Sequence, residues 1–175
     1  KANEATMLTI PIGHMLAGLT TALGNVEDLT ARMFNNFTEV FITDTNEIKN
    51  KTSEDQIMVI GKLSNGAALS IHYRGGLSRG TNFLWEINGT EGDIQITGPM
   101  GQAQLVPLML KGANGEDKEL TLLKTPDRFF NRITDDPLAG NVAQIYKLLA
   151  NDIRNNTRTA PTFEDALNLY KLIDR

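Results

Sequence analysis

The sequence contains no cysteine and only two histidines among its 175 residues. Without thiols the chain can form neither disulfides nor thiolate metal sites, and it cannot use cysteine as a nucleophile. Two imidazoles are too few for a transition-metal site built by this chain alone, so we expect no bound metal. The lack of cysteine also suits a reducing compartment, and we expect the protein to be cytoplasmic.

Long apolar runs and an excess of positive charge are absent as well. No stretch approaches the roughly eighteen apolar residues of a membrane span, and residues 1–6 do not form a secretory signal. The net charge of -4 offers no attraction to nucleic acid or to an anionic membrane, so we expect neither as a direct partner. The chain starts without methionine and stops inside a helical pattern at residues 171–175, which suggests a piece of a longer protein.

A glycine-rich phosphate-binding fingerprint is also missing. The glycine clusters at residues 75–80 and 98–101 have neither the G-x-G-x-x-G order nor a position between a strand and a following helix. They predict turns instead. No Walker-type lysine motif, H-E-x-x-H or G-x-S-x-G occurs either, so we expect no cofactor-binding segment within this chain.

Three segments have the apolar spacing of amphipathic helices, in a chain that is 41% hydrophobic and 22% charged. The first spans residues 12–23, with Gly24 placed where a helix C-cap would lie. The second spans residues 138–153. The third begins at Thr162, which together with Asp165 forms a capping box at the start of the helix.

Elsewhere the apolar residues alternate, as they do in half-buried strands. The predicted extended segments are residues 7–11, 28–35, 39–45, 56–63, 67–73, 82–87, 93–97, 104–110 and 118–123. Asn65 and Gly66 supply the positive φ angles of a tight turn, and they predict a hairpin around residues 64–66. Glycine-containing turns at residues 88–92 and 112–115 predict two further hairpins.

The remaining connections follow from polar residues and proline. Asn35 and Asn36 mark a turn that joins the first two strands. Residues 46–55 are polar and predict a solvated loop, and residues 125–137 predict irregular structure. Pro107 cannot donate a ladder hydrogen bond, so its strand is expected at an edge or a bulge.

A helix, about eight mostly antiparallel strands and two further helices together predict an α+β fold. We expect a large open sheet that is covered on one face by the helices, within a single domain of 175 residues. The second face of such a sheet must be solvated or buried by a partner.

His14 is the candidate for acid-base chemistry, because an imidazole beside Gly13 at the start of a helix can face a cleft and exchange protons near neutral pH. Its place next to the apolar stripe leaves a partly buried structural role open. His72, in a predicted strand, is expected to be a satisfied sheet residue or a dimer contact. Trp85 is expected in the core or in an interface.

The order of several short motifs resembles one known family over essentially the full length of the chain. The matching residues are GH at 13–14, LG at 23–24, EDQ at 54–56, LSNGA at 63–67, WEINGTEG at 85–92 and PTFEDA at 161–166. This set resembles the C-terminal domain of the glucose-fructose oxidoreductase and inositol dehydrogenase (Gfo/Idh/MocA) family. HYRGG at 72–76 and the turn at 88–92 look closest to the branch of the galactose-pathway repressor of yeasts and its bacterial oxidoreductase relatives.

The resemblance implies a dihydrodipicolinate-reductase-like C-terminal domain over residues 1–175, preceded in the whole protein by a Rossmann domain that binds NAD or NADP. It implies homo-oligomers formed through the open face of the sheet, and a sugar or polyol as substrate. In active members a histidine matching His14 exchanges a proton with the substrate hydroxyl while nicotinamide takes or gives hydride, aided by a lysine of the Rossmann domain. We expect Tyr73 and Arg74, in the matching HYRGG segment, to contact the substrate with His14.

Two departures from the family pattern bear on activity. Many active members carry acidic residues where this sequence has Ile10 and Ala17, so a carboxylate that would orient His14 is missing. Three interpretations therefore stay open: a sugar or polyol oxidoreductase, a non-catalytic regulator that senses a dinucleotide or a sugar, and a piece that serves only to form dimers.

Overall fold

The computed structural model describes residues 5–129 and 136–175. The helices are α1 (Gly13–Leu23), α2 (Pro137–Asn155) and α3 (Phe163–Ile173). The strands are β1 (Val26–Phe34), β2 (Glu39–Ile42), β3 (Glu47–Asn50), β4 (Gln56–Leu63), β5 (Ala68–Arg74), β6 (Phe83–Asn88), β7 (Gly92–Gly98), β8 (Met109–Asn114) and β9 (Thr121–Leu122). All three predicted helices and the α+β class are confirmed.

The strand pairs are all antiparallel in the described part of the chain. They form a three-stranded sheet in the order β1-β4-β5, a two-stranded hairpin of β2 and β3, and a four-stranded sheet in the order β6-β7-β8-β9. The large predicted sheet is thus divided, within residues 5–129 and 136–175, into three hydrogen-bonded sheets.

The first of two compact units contains the described residues up to Gly76 together with Leu167–Arg175. Its core lies between α1 and the three-stranded sheet, where Ile12 and Leu16 of the helical segment pack against Ile57 of β4. Ile57 is the most buried of them, with 0% of its surface exposed. Further apolar side chains pack around this cluster from both ends of the unit: Met7, Leu8, Val59, Ile71, Tyr73, Leu169, Leu172 and Ile173.

Alternation along the strands gives the three-stranded sheet two different faces, because directly paired residues share a face. The inner face, which packs on α1, includes the rows Ala31-Val59-Ile71 and Met33-Ile57-Tyr73. The outer face carries the rows Thr30-Ile60-Ser70, Arg32-Met58-His72 and Phe34-Gln56-Arg74. The outer face is largely exposed: Met58 is 49% and Ile60 is 63% accessible.

The second unit spans Leu77–Ala166 and contains the four-stranded sheet and α2. Phe83 is buried on β6, and Trp85, two residues further along the same strand, lies with its ring centroid 5.9 Å from that of Phe83. Trp85 is half-buried, which agrees with a packing role. The α2 helix begins after Asp136, whose carboxylate accepts hydrogen bonds from the amides of Leu138 and Ala139.

One turn prediction and two cap predictions are confirmed. Gly66 has φ 92° in the tight turn between β4 and β5, and Gly24 has φ 95° at the end of α1, so both glycines use the left-handed region. Thr162 and Asp165 form the predicted capping box: the Asp165 amide donates to Thr162 Oγ1, and the Thr162 amide donates to the Asp165 carboxylate.

Two predictions of local structure need correction. The extended lead-in at residues 7–11 is wrong, because Leu8–Ile12 forms a π-helical turn that runs into α1 and is stabilised by reciprocal bonds between Thr6 and Thr9. The solvated loop at residues 46–55 is wrong in part, because Glu47–Asn50 is the polar strand β3.

Strand pairing also differs from the local order. β1 pairs with β4 and not with β2, since β2 turns back onto β3. In the hairpin predicted around residues 112–115, the first strand begins only at Met109, after Pro107, and extends to Asn114 through residues predicted as turn. Of the predicted irregular stretch at residues 125–137, residues 130–135 lie outside the described residues, while Asp127–Phe129 forms a 3₁₀ turn.

Candidate functional site

His14 lies in the first turn of α1 and is exposed to solvent. The backbone beneath it is fixed, because its neighbours Ile12 and Gly13 are buried and a Cβ on Gly13 would lie 3.2 Å from Ile173 Cδ1 of α3. The imidazole itself has no hydrogen-bond partner within residues 5–129 and 136–175. His14 therefore has no buried structural role in the described part of the chain, and its ring is exposed to solvent.

Tyr73 lies on the inner face of β5, opposite Ile57. Its ring packs against the core cluster that also holds the start of α1. Burial raises the pKa of the Tyr73 phenol above its ordinary value, so the hydroxyl stays protonated and can donate a hydrogen bond. Tyr73 thus lies on the face of the sheet that packs against the helix carrying His14.

Arg74 lies on the other face of the same strand. Neighbouring residues of a strand point to opposite sides, and Arg74 pairs with Gln56 on the outer face. The structure therefore does not bring Arg74 to Tyr73, and the predicted trio is divided between the two faces. His72 is also on the outer face, where its Nε2 lies 2.9 Å from Gln56 Oε1.

A buried carboxylate that the sequence analysis did not identify is Asp55, the middle residue of the EDQ motif. Its side chain accepts hydrogen bonds from the amides of Asn36 and Phe37 at 3.1 and 2.9 Å, and from Lys51 Nζ at 2.9 Å. Its backbone carbonyl accepts from the Gly75 amide at 2.7 Å. Asp55 therefore ties the base of the β2-β3 hairpin to one end of the three-stranded sheet, where β1 and β5 end and β4 begins.

The electrostatics of Asp55 reflect these contacts. Burial alone would raise its pKa, but the bonds from the Phe37 amide, Lys51 and the Asn36 amide outweigh burial and lower the pKa to about 2. Lys51 also donates to the Asn35 side chain and the Ser53 carbonyl. The motif is thus a structural anchor, and the i,i+4 spacing of Lys51 and Asp55 was the signal for it in the sequence.

Asp152, in the last turns of α2, has a comparable role in the second unit. It is 7% exposed and accepts hydrogen bonds from the hydroxyls of Thr157 and Thr159 and from the amides of Thr159 and Ala160. The bonds from the Thr157 hydroxyl and the Ala160 amide lead the causes that lower its pKa to about 2. A shallow cavity of about 420 Å³ lies beside this loop, lined by residues that include Leu149, Ile153 and Pro161. No polar group points unsatisfied into it from the described residues.

The two glycine clusters in the described part of the chain do not fit a dinucleotide. Gly75 and Gly76 lead from β5 to β6, and Gly98 and Gly101 lead from β7 to the short 3₁₀ turn Ala103–Leu105. Neither cluster precedes an α-helix, so neither offers the helix N-terminus on which a pyrophosphate is held.

Residues 5–129 and 136–175 contain no three His, Asp or Glu side chains grouped so that they could hold a metal ion. None of their helices has the length and apolar character needed to cross a lipid bilayer.

Comparison with known proteins identifies the family to which the chain belongs. Residues 1–98, more than half of the chain, match the family model described as Gal80p, C-terminal domain. A search of curated proteins found no match.

Solved structures give the fold. A super-repressor mutant of Gal80p from Saccharomyces cerevisiae aligns over 97% of this chain and 46% of its own, at 23% identity and a TM-score of 0.79. Apo levoglucosan dehydrogenase aligns over 94% and 46%, at 16% identity and a TM-score of 0.69. Its complex with NADH and L-sorbose aligns over 68% and 32%, at 19% identity and a TM-score of 0.52.

An NAD-binding oxidoreductase from Klebsiella pneumoniae aligns over 93% of this chain and 45% of its own, at 19% identity and a TM-score of 0.66. This structure, that of Gal80p and that of apo levoglucosan dehydrogenase match most of this chain, and the chain spans about half of the length of each of them.

Proposed function

Because the chain belongs to the family of Gal80p-like C-terminal domains, we propose that it forms the substrate-side and assembly half of an NAD- or NADP-dependent oxidoreductase acting on a sugar or polyol hydroxyl. The relatives support this proposal: levoglucosan dehydrogenase has been solved with NADH and L-sorbose, and its apo form shares this fold. The dinucleotide is held outside this chain, in line with its glycine turns.

One observation carries the proposal: His14 is the exposed imidazole at the start of a helix whose backbone is fixed by a buried core. In the proposed reaction His14 accepts the proton of the substrate hydroxyl during oxidation and returns it during reduction. The Tyr73 hydroxyl, a phenol whose pKa is raised further by burial, donates a hydrogen bond to the substrate. Arg74, on the outer face, is better suited to contacts between subunits than to the substrate.

A second candidate is a non-catalytic regulator that binds a sugar or dinucleotide at His14. One observation favours it: no carboxylate bonds to His14 in the described residues, and Ile10 and Ala17 stand at the positions of the expected acids. Without such a carboxylate the imidazolium that forms on proton uptake is less stabilised. The match to Gal80p, which was solved as a super-repressor mutant, also favours a regulator.

The decisive experiment compares His14→Ala with His72→Ala in the whole protein. His72 is the matched control, because it is the only other histidine and is exposed on the outer face. With a panel of sugars and polyols and with NAD and NADP, we expect His14→Ala to lower turnover by about 10²–10⁴-fold. The melting temperature should be unchanged, because His14 is exposed and makes no bond within the described residues.

The outcomes separate the candidates. Turnover like that of the wild type in a stable His14→Ala protein would end the catalytic assignment. A regulator would show no turnover in any variant, and His14→Ala would change only the affinity for a sugar or dinucleotide, measured by calorimetry.

Assembly is the second part of the proposal. The inner face of the three-stranded sheet is covered by α1, while the outer face leaves Phe34, Met58 and Ile60 between 46% and 63% exposed. Ile57 and Val59 of β4 point inward and are not available for such a contact. We therefore assign the homodimer contact to the outer face, where a stable interface would bury about 1,600 Å² in total.

A further inference from the structure

The β2-β3 hairpin, here called the arm (Glu39–Ile42 and Glu47–Asn50), is exposed along its whole length apart from Ile42. Among the described residues its strands pair only with each other, and a two-stranded ribbon alone is marginally stable in water. Phe41 and Ile48 are directly paired and lie on one face of the arm, where they are 56% and 67% exposed. An aromatic and a β-branched side chain that are both exposed to solvent next to each other indicate a contact surface.

The arm is held in place at its base, where the Asp55 carboxylate binds the amides of Asn36 and Phe37. The exposed pair is therefore presented on a fixed base and does not depend on the stability of the ribbon alone. Such presentation lowers the entropy cost of binding.

We propose that the arm of one copy packs Phe41 and Ile48 onto the outer face of the three-stranded sheet of a second copy. This inference rests on the homodimer proposed above and adds the arm as its second surface. The apolar residues of that outer face are Phe34, Met58 and Ile60.

Charge supports a second copy as the occupant. Glu39 shares the face of the arm with Phe41, while the outer face carries Arg32 and Arg74. Within the described residues, none of these three has an ion-pair partner in its own chain. In a two-fold dimer the acidic, apolar arm of each copy can contact the basic, apolar outer face of the other copy, so the same contact forms twice.

The first test measures the dimer dissociation constant by sedimentation for the 175-residue chain. We expect the double change Phe41→Ser and Ile48→Ser to weaken the dimer by at least about tenfold, as for loss of an aromatic residue from an interface core. Val40→Ser is the matched control, because Val40 lies on the same strand but on the opposite face of the arm. It should leave the dissociation constant unchanged.

The second test swaps charges. Glu39→Arg alone, and Arg32→Glu with Arg74→Glu, should each weaken the dimer, and the three changes in one chain should restore it. A structural fault in the arm would not be rescued by changes on the sheet, so rescue reports the contact itself.

The third test uses the absence of cysteine from the chain. A chain with Phe41→Cys is mixed with a chain of different mass with Ile60→Cys, and the mixture is oxidised. We expect a disulfide between the two chains, and none when Val40→Cys replaces Phe41→Cys. This measurement decides the question if the double serine variant fails to fold.

The outcomes distinguish this inference from the proposal it rests on. Loss of the dimer with Ile60→Asp, but unchanged dimerisation with the arm variants and no cross-link, overturns the arm and leaves the outer-face dimer. A dimer that survives every one of these changes, or a chain that is monomeric at all concentrations, overturns both.

Discussion

Replacing Ile57 by alanine tests the division of the three-stranded sheet into an inner and an outer face. Ile57 is 0% exposed and packs between Ile12 and Leu16, with Met33 and Tyr73 paired on either side. Truncating a fully buried isoleucine costs about 2–5 kcal/mol, through lost transfer free energy and the cavity that remains. The neighbours of Ile57 belong to a helix and two strands, which cannot all move to fill the cavity. We therefore expect the free energy of unfolding to fall by about 3 kcal/mol.

For a chain of this length 3 kcal/mol corresponds to a fall in melting temperature of about 6–12 °C. Thermal unfolding followed by circular dichroism, at low protein concentration so that assembly does not contribute, measures it. The matched control is Ile60→Ala on the same strand, because Ile60 is 63% exposed on the outer face. That change should alter stability by less than about 0.5 kcal/mol. Equal losses for the two variants would refute the assignment of the faces.

The remaining predictions concern pH and cofactor binding. Asp55 and Asp152 have pKa values lowered from 3.8 to about 2, so their contribution to stability is present above about pH 4 and is lost as the pH falls through 2. The melting temperature should therefore be level above about pH 5 and fall between pH 4 and 2. Asp55→Asn should have a lower melting temperature at pH 7, and its melting temperature should fall less steeply in acid. An equally steep fall in the variant would contradict the role of Asp55. We also expect calorimetry to detect no micromolar binding of NAD to the 175-residue chain alone, because no glycine turn in it precedes an α-helix; such binding would contradict the assignment of the cofactor to another part of the protein.

Helices and tight turns, which depend on residues close together in the chain, could be predicted from the sequence. Apolar spacing located α1, α2 and α3, and the Asn65-Gly66 turn located the β4-β5 hairpin, because each depends on residues close in the chain. The expected family resemblance is confirmed over residues 1–98. What failed was pairing between distant segments: β1 joins β4, about thirty residues away.

The candidate site was predicted less well, and for two different reasons. The position of Arg74 opposite Tyr73 was available from the sequence, because adjacent residues of a strand cannot face the same way. The bonds from the Asn36 and Phe37 amides to Asp55 were not available, because they cross a hairpin whose second strand, β3, was predicted as a loop. Polar strands such as β3 lack the apolar alternation on which strand prediction depends.

The β4 strand has a consequence for which changes in length the protein can accept. Ile57 and Leu63 are buried while Met58 and Ile60 are exposed, so one inserted or deleted residue within the strand would exchange the two sets. Natural variants of this domain should therefore differ in length at the solvent-exposed turn around Gly66 or in the segment linking β2 to β3, and hardly ever between Gln56 and Leu63. Anyone who circularly permutes the domain or inserts a tag into it has the same restriction.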